Sequence, residues 1–195
     1  SPWASRLVIV KKKSGENRCC IDLRDLNSKL LVHDCPLPRT DDCIAKLAAT
    51  PEWGNEDARV PTSSVKLYSI LDLASGYYCV PIKEADQDKL AFVTERAKYS
   101  FKYMPFGISS APAYFQTMMN HTLEGLTHNI CLAYLDDVAI WATGITMDEA
   151  FEQAFERLEL VLERMAWAGL TAKASKCRMF SLSIDYLGVV VSAKG

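Results

Sequence analysis

Two apolar runs meet at a pair of acids in Ile130-Cys131-Leu132-Ala133-Tyr134-Leu135-Asp136-Asp137-Val138-Ala139-Ile140-Trp141. Runs of four or five apolar residues on either side of a short polar break predict a β-hairpin with Asp136 and Asp137 at its tip. Neighbouring strand residues point to opposite faces, so a turn is needed to aim both acids toward one place. Such a pair is costly: at about 4 Å and an effective dielectric near 20, two unit charges repel by roughly 4 kcal/mol. A divalent cation removes that cost, and an all-oxygen donor set suits magnesium or manganese. On spacing alone, an Asp-Asp pair at a hairpin is more often plain turn chemistry.

A third acid lies upstream. Asp72 closes the apolar strand candidate Leu67 to Leu73. Carboxylates from two strands can hold two metals about 3.5–4 Å apart, which activate an attacking 3′-hydroxyl and stabilise a leaving pyrophosphate.

The clearest helix follows the hairpin. Thr146-Met147-Asp148-Glu149 is a capping box, and Met147, Ala150, Phe151, Ala154, Phe155, Leu158, Val161, Leu162 and Met165 trace one apolar face. Gly169 is placed to end this helix, and Glu152, Glu156, Glu159 and Glu163 are expected to form its solvated face. Ser109-Ser110-Ala111-Pro112 starts another helix. Tyr186 to Ser192 is expected to be one buried strand. Toward the N-terminus, Leu7 to Val10 and Cys19 to Leu23 flank Ser14-Gly15-Glu16-Asn17, predicting a hairpin with a basic tip at Lys11 to Arg18. A short helix over Arg24 to Leu31, a helix over Asp41 to Ala49, a turn or short helix at Glu84 to Asp88, and strands at Ala91 to Thr94 and Ser100 to Tyr103 complete the pattern. Residues 51–64 are polar and aperiodic, as in a surface loop.

Composition narrows the function classes. With 195 residues, 49% of them hydrophobic, the chain can bury a core as one domain, or as one domain with a closely packed lobe. No apolar run approaches the roughly 18 residues that span a bilayer, and no basic-then-apolar signal opens the chain. A cytoplasmic or nuclear setting, not a secreted one, is therefore expected, with no membrane partner. The start at Ser1 suggests a piece of a longer protein. The seven cysteines include no CxxC pair and, with three histidines, give no zinc-ligand spacing; reduced thiols are expected. A net charge of −2 argues against a generic nucleic-acid coat protein. Residues 1–46, however, carry nine basic and six acidic side chains, so one face can meet phosphates.

Several motifs together resemble one family. Tyr134-Leu135-Asp136-Asp137 resembles the Tyr-x-Asp-Asp motif of reverse transcriptases, and Leu71-Asp72-Leu73-Ala74-Ser75-Gly76-Tyr77 looks like their first acidic motif. Met104-Pro105-Phe106-Gly107 and Ala111-Pro112-Ala113-Tyr114-Phe115-Gln116 are similar to the segment between them. Tyr186-Leu187-Gly188 resembles the primer-grip region. Ser1-Pro2-Trp3-Ala4-Ser5 with Pro36-Leu37-Pro38-Arg39 is most similar to gypsy-type LTR retrotransposon enzymes. The match runs in the family's order from Ser1 to Gly195.

The resemblance implies an α+β fold: a polymerase palm, an antiparallel sheet backed by helices in a split βαβ arrangement, with a fingers lobe and without the thumb. Fingers would take residues 1–65, with a loop inserted at 51–64. Palm would take most of 66–195, with some fingers residues near 84–108. The implied activity is DNA synthesis on an RNA or DNA template by two-metal nucleotidyl transfer, within a retrotransposon polyprotein in the cytoplasm (a retroelement particle) or the nucleus. Two Mg²⁺ or Mn²⁺ ions would be held by Asp72, Asp136, Asp137 and the Leu73 carbonyl. Partners would be an RNA template, a DNA primer, their hybrid, and deoxynucleoside triphosphates.

Nucleotide contacts would fall to Arg18, Ala74, Tyr77, Gln116 and one lysine among Lys11, Lys12 and Lys13, with the choice between Lys12 and Lys13 open. Tyr77 matches the family's steric gate against a ribose 2′-hydroxyl, which argues against an RNA-dependent RNA polymerase. Tyr134, Leu135, Tyr186, Leu187 and Gly188 would face primer and template. Three features depart from the family: the long 51–64 loop, Cys79 and Val80 where relatives often have Trp and Gln, and the absence of thumb, connection and RNase H regions from this chain. A non-catalytic retroelement remnant is the alternative.

Overall fold

The computed structural model describes residues 1–11, 15, 17–31, 36–49, 64–74 and 76–192. The 51–64 loop falls outside them apart from Ser64. In chain order the elements are β1 (Ser5–Lys11), β2 (Asn17–Ile21), α1 (Arg24–Asn27), α2 (Thr40–Ala48), β3 (Val65–Asp72), α3 (Glu84–Gln87), β4 (Ala91–Val93) and β5 (Lys98–Ser100). They continue with α4 (Ala111–Thr122), β6 (Cys131–Tyr134), β7 (Asp137–Gly144), α5 (Met147–Trp167), β8 (Arg178–Ser181), β9 (Ser183–Tyr186) and β10 (Val189–Ser192). Short 3-10 turns lie at Gly76–Cys79, Asp88–Leu90 and Ala174–Lys176.

The described residues form two compact units, one from Ser1–Cys35 with Ser75–Phe115, the other from Pro36–Ala74 with Gln116–Gly195. In the first, the sheet order is β2-β1-β4-β5. The expected hairpin forms, with Leu7 opposite Ile21 and Lys11 opposite Asn17. Its core gathers Ile21, Leu23 and Leu90 with the partly buried Leu7, Phe92 and Phe101. The expected strand at Ser100 to Tyr103 lies earlier, at Lys98–Ser100, because the charged turn before it is tighter; Tyr103 bridges only to Pro81. The helix at Arg24 ends at Asn27, four residues short of Leu31.

In the second unit the sheet order is β6-β7-β3-β8. β3 lies between β7 and β8, and six of its eight residues are buried. That explains its almost unbroken apolar run, since a strand covered on both faces shows no alternation. Two polar residues interrupt it, and both are satisfied: Ser69 Oγ accepts from Phe180 N at 3.1 Å, and Lys66 Nζ donates to the Leu47 and Ala49 carbonyls at 2.7 and 2.8 Å. Lys66 thereby holds one carbonyl in the last turn of α2 and that of its C-cap residue, where a cation suits the helix dipole. Burial pulls its ammonium down to about 8.

α5 packs on β7 and β3 through Ala150, Ala154, Leu158, Val161 and Met165, and its capping box is present. Small residues at the helix start allow close approach: a Cβ on Gly144 would run into the Ala150 backbone. Met147, Phe151, Phe155 and Leu162, on the expected apolar face, remain exposed, while the four glutamates are solvated as expected. Tyr186 to Ser192 is not one buried strand. It is a tight hairpin of β9 and β10, with Tyr186 opposite Val189. Leu187 and Gly188 both take positive φ (52° and 83°), the backbone demanded by a two-residue I′ turn, and Val190 is 62% exposed. Among the described residues, no helix is long and apolar enough to cross a membrane.

Candidate active site

The hairpin of β6 and β7 turns on two residues only, Leu135 and Asp136, because Tyr134 already pairs with Asp137. The two acids thus occupy different positions from a shared tip: Asp136 is exposed in the turn, and Asp137 is the first, half-buried residue of β7. Leu135 holds φ +53°, as the first residue of a II′ turn does. Glycine is usual there, and an L side chain costs roughly 1–2 kcal/mol. A neighbouring residue fixes the turn: Gln116 Oε1 accepts from Leu135 N at 2.8 Å, while its Nε2 donates to the Ala133 carbonyl and to Asn120 Oδ1, both at 3.0 Å. Gln116 is fully buried, at 0% exposure. Both amide hydrogens of Gln116, the expected nucleotide contact, are thus engaged within the protein.

β3 brings the third acid to the same end of the sheet. Asp72 and Asp137 are register partners across β3 and β7, and Leu73 N donates to the Asp136 carbonyl at 3.0 Å. Like charges directly opposite on one face repel. Burial first, then the Asp136 and Asp72 charges, raise the Asp137 carboxyl above the usual carboxylate range, and Lys176 partly offsets this.

Lys176 was not singled out from the sequence. Its Nζ lies 2.6 Å from Asp72 Oδ2, a side chain only 17% exposed. Backbone bonds aim it there: Ala74 N donates to the Thr171 carbonyl, Lys173 N to the Asp72 carbonyl (both 2.8 Å), and Leu73 bridges to Ala172. A 3-10 turn at Ala174–Lys176 then presents the ammonium. The hydrogen bond to Asp72, with help from the other two acids, raises the Lys176 ammonium above the ordinary lysine value. Nothing in the sequence around Lys176 marked it, because the contact spans 104 positions.

Among the described residues, no three His, Cys, Asp or Glu side chains converge as a ready-made metal cage. The donor set nonetheless suits a hard divalent cation, being carboxylate oxygen throughout, and a cationic nitrogen already stands on Asp72.

Other expected site residues are distributed as follows. Tyr77 sits in the first unit, in the 3-10 turn Gly76–Cys79, edge-on to Phe106 (5.1 Å) and Phe115 (5.3 Å). Gly76 permits this packing, since a Cβ there would meet the Phe115 ring at 2.8 Å. Ala74 makes the backbone bond above. Tyr134 packs partly buried against the core that contains Tyr186. Tyr186 is 1% exposed, and its hydroxyl is the single buried side-chain polar atom without a partner among the described residues. The Tyr186 side chain thus lies in the core, Leu187 is partly buried against it, and Gly188 is the exposed residue of that motif. Lys12 and Lys13 lie outside the described residues, as does the side chain of Arg18, whose backbone pairs with Val10.

Comparison with known proteins gives a consistent picture. Residues 10–191 match the family described as reverse transcriptase (RNA-dependent DNA polymerase). The chain is 32% identical over 200 residues to the retrovirus-related Pol polyprotein from transposon 297 of Drosophila melanogaster, covering 100% of this chain and 17% of that protein. It is 29% identical over 201 residues to the corresponding polyprotein from transposon gypsy of the same organism, again covering 100% and 17%. The chain thus spans about a sixth of these relatives' length. Among solved structures, the foamy viral protease-reverse transcriptase in complex with RNA/DNA hybrid matches with a TM-score of 0.79 at 19% identity, over 98% of this chain and 23% of that one. A form of that enzyme in complex with double-stranded DNA matches with a TM-score of 0.76 at 20% identity, over 98% and 30%. The expected α+β fold of fingers and palm is the fold observed.

Proposed function

Because the chain belongs to the reverse transcriptase (RNA-dependent DNA polymerase) family, we propose that it carries out template-directed DNA synthesis as the polymerase part of a retrotransposon polyprotein. The observation that carries this reading is the β3–β7 register, which sets Asp72 opposite Asp137 with Asp136 in the adjoining turn. Two divalent cations bound by these acids and the Leu73 carbonyl would supply Lewis-acid stabilisation of the attacking 3′-oxygen and the leaving pyrophosphate. The chain's own residues do the positioning. Gln116 holds the strained Leu135 turn, and the backbone bond from Leu73 to Asp136 fixes the two acidic motifs to each other.

Under this reading, residues 1–65 and the stretch near 84–108 serve as fingers and the rest of 66–195 as palm. Arg18, Ala74 and one of Lys12 and Lys13 would meet the triphosphate. Tyr77, braced by Phe106 and Phe115, would exclude a ribose 2′-hydroxyl. Tyr134 and the Leu187-Gly188 turn would face an RNA–DNA hybrid, held by backbone and shape more than by base identity. The relatives' enzymes in complex with RNA/DNA hybrid and double-stranded DNA support those partners, and the setting would be a retroelement particle or the nucleus.

Primer extension tests this. A polypeptide carrying the chain should extend a DNA primer on an RNA template with Mg²⁺ and deoxynucleotides. Preference for ribonucleotides, or extension that ignores the template, would sink the assignment.

A further inference from the structure

We propose that Lys176 is a built-in counterion of the metal site: it neutralises Asp72 while no divalent cation is bound, and must release Asp72 before one can bind. The inference rests on the proposed metal-dependent function and concerns a residue outside the acidic motifs.

Three observations carry it. First, the contact is direct and confined to Asp72: Lys176 Nζ approaches Asp72 Oδ2 at 2.6 Å, and it makes no other hydrogen bond or ion pair among the described residues. Second, the contact is built by the backbone. The Ala74–Thr171 and Lys173–Asp72 hydrogen bonds and the Leu73–Ala172 bridge tie 171–173 to the first acidic motif, and the 3-10 turn then carries Lys176 back over it. Third, the acids need a cation. Asp72 and Asp137 face each other in register and Asp136 adjoins them in the turn, so three like charges crowd one partly buried edge.

Lys176 itself is about half exposed (54%), so its flexible stem can swing into solvent without disturbing the core. A group that occupies a ligand oxygen competes with the metal for it. Lys176 therefore lowers metal affinity while preventing the acids from repelling one another in the metal-free protein.

Manganese titration followed by the electron paramagnetic resonance signal of free Mn²⁺ tests this without any activity readout. Parent, Lys176→Met, Lys173→Met and Asp137→Asn proteins are compared, with circular dichroism confirming that each is folded. The Lys176→Met protein is expected to bind Mn²⁺ about tenfold more tightly and to melt lower in metal-free buffer. Lys173→Met removes a neighbouring positive charge that does not contact Asp72, and should change affinity less than about twofold. Should Lys176→Met fail to fold, Lys176→Gln takes its place, with the same direction expected.

Unchanged or weaker Mn²⁺ binding on loss of Lys176, or an equal gain from Lys173→Met, would overturn the counterion role. If Asp137→Asn binds Mn²⁺ as the parent does, the metal-site reading itself fails. The two failures are therefore distinct.

Discussion

Asp72 and Asp137 stand opposite each other across β3 and β7, the last residue of one strand paired with the first of the other. Two carboxylates in that relationship destabilise the fold that carries them. Burial, Asp136 and Asp72 all favour the protonated form of Asp137. A carboxyl raised above its unfolded value binds protons more readily in the folded state, so its contribution to stability is present at low pH and is lost as pH rises through the folded value. Asp137→Asn is accordingly expected to stabilise the metal-free protein at neutral pH by about 1 kcal/mol, roughly 2–4 °C in Tm. The gain should shrink at acidic pH, where the parent's Asp137 is protonated. Thermal melts at two pH values check this, and a neutral-pH Tm below the parent's would contradict it.

Gln116, expected from the resemblance to meet the nucleotide, is buried and hydrogen-bonded to the turn that carries Asp136. Gln116→Leu keeps the volume but leaves the Leu135 amide and the Ala133 carbonyl without these partners, a loss of about 1–3 kcal/mol for each buried group left unsatisfied. The strained turn should then relax. The expected outcome is a large fall in nucleotide incorporation rate with nucleotide KM changed little. A selective rise in KM would instead mark Gln116 as a nucleotide contact.

Tyr77 makes the sugar-selectivity prediction. Tyr77→Val shortens a side chain that Phe106 and Phe115 hold in place. Ribonucleotide incorporation should rise by at least tenfold relative to deoxynucleotide, measured as the ratio of kcat/KM values. An unchanged ratio would return Tyr77 to a packing role.

Lys66 gives a pH signature far from the acids. Its ammonium is buried at 1% exposure and titrates at about 8 in the folded chain, against 10.5 as its ordinary value. Between those values the unfolded state holds the proton and the folded state does not, so stability should rise with pH across about 8 to 10.5. The neutral amine still has two hydrogens for the Leu47 and Ala49 carbonyls. Urea unfolding of the parent and of Lys66→Met should differ in slope over that window. Identical pH slopes would contradict the assignment.

The sequence reached the acids because each lies at a break in an apolar run, and the capping box at Thr146 because its four residues are contiguous. It missed Lys176 because that residue meets Asp72 only through the β3 connection, 104 positions away. It took Tyr186 to Ser192 as one strand because leucine at positive φ has no local signature; Leu187 and Leu135 both adopt it under tertiary constraint. Gln116 was legible as a polar residue near the site, but not as a buried clamp, since its partners Ala133 and Leu135 lie 17 and 19 positions away in the chain.

Single-turnover nucleotide incorporation on a preformed RNA–DNA hybrid tests the central claim most directly. Parent, Asp72→Asn, Asp136→Asn and Asp137→Asn would be compared, with hybrid affinity measured separately by fluorescence anisotropy. Each variant is expected to lose roughly a thousandfold or more in rate, of the order seen when a group that stabilises transition-state charge is removed, with hybrid affinity within threefold of the parent. Incorporation within tenfold of the parent in any of the three would contradict a nucleotidyl-transfer centre built on Asp72, Asp136 and Asp137.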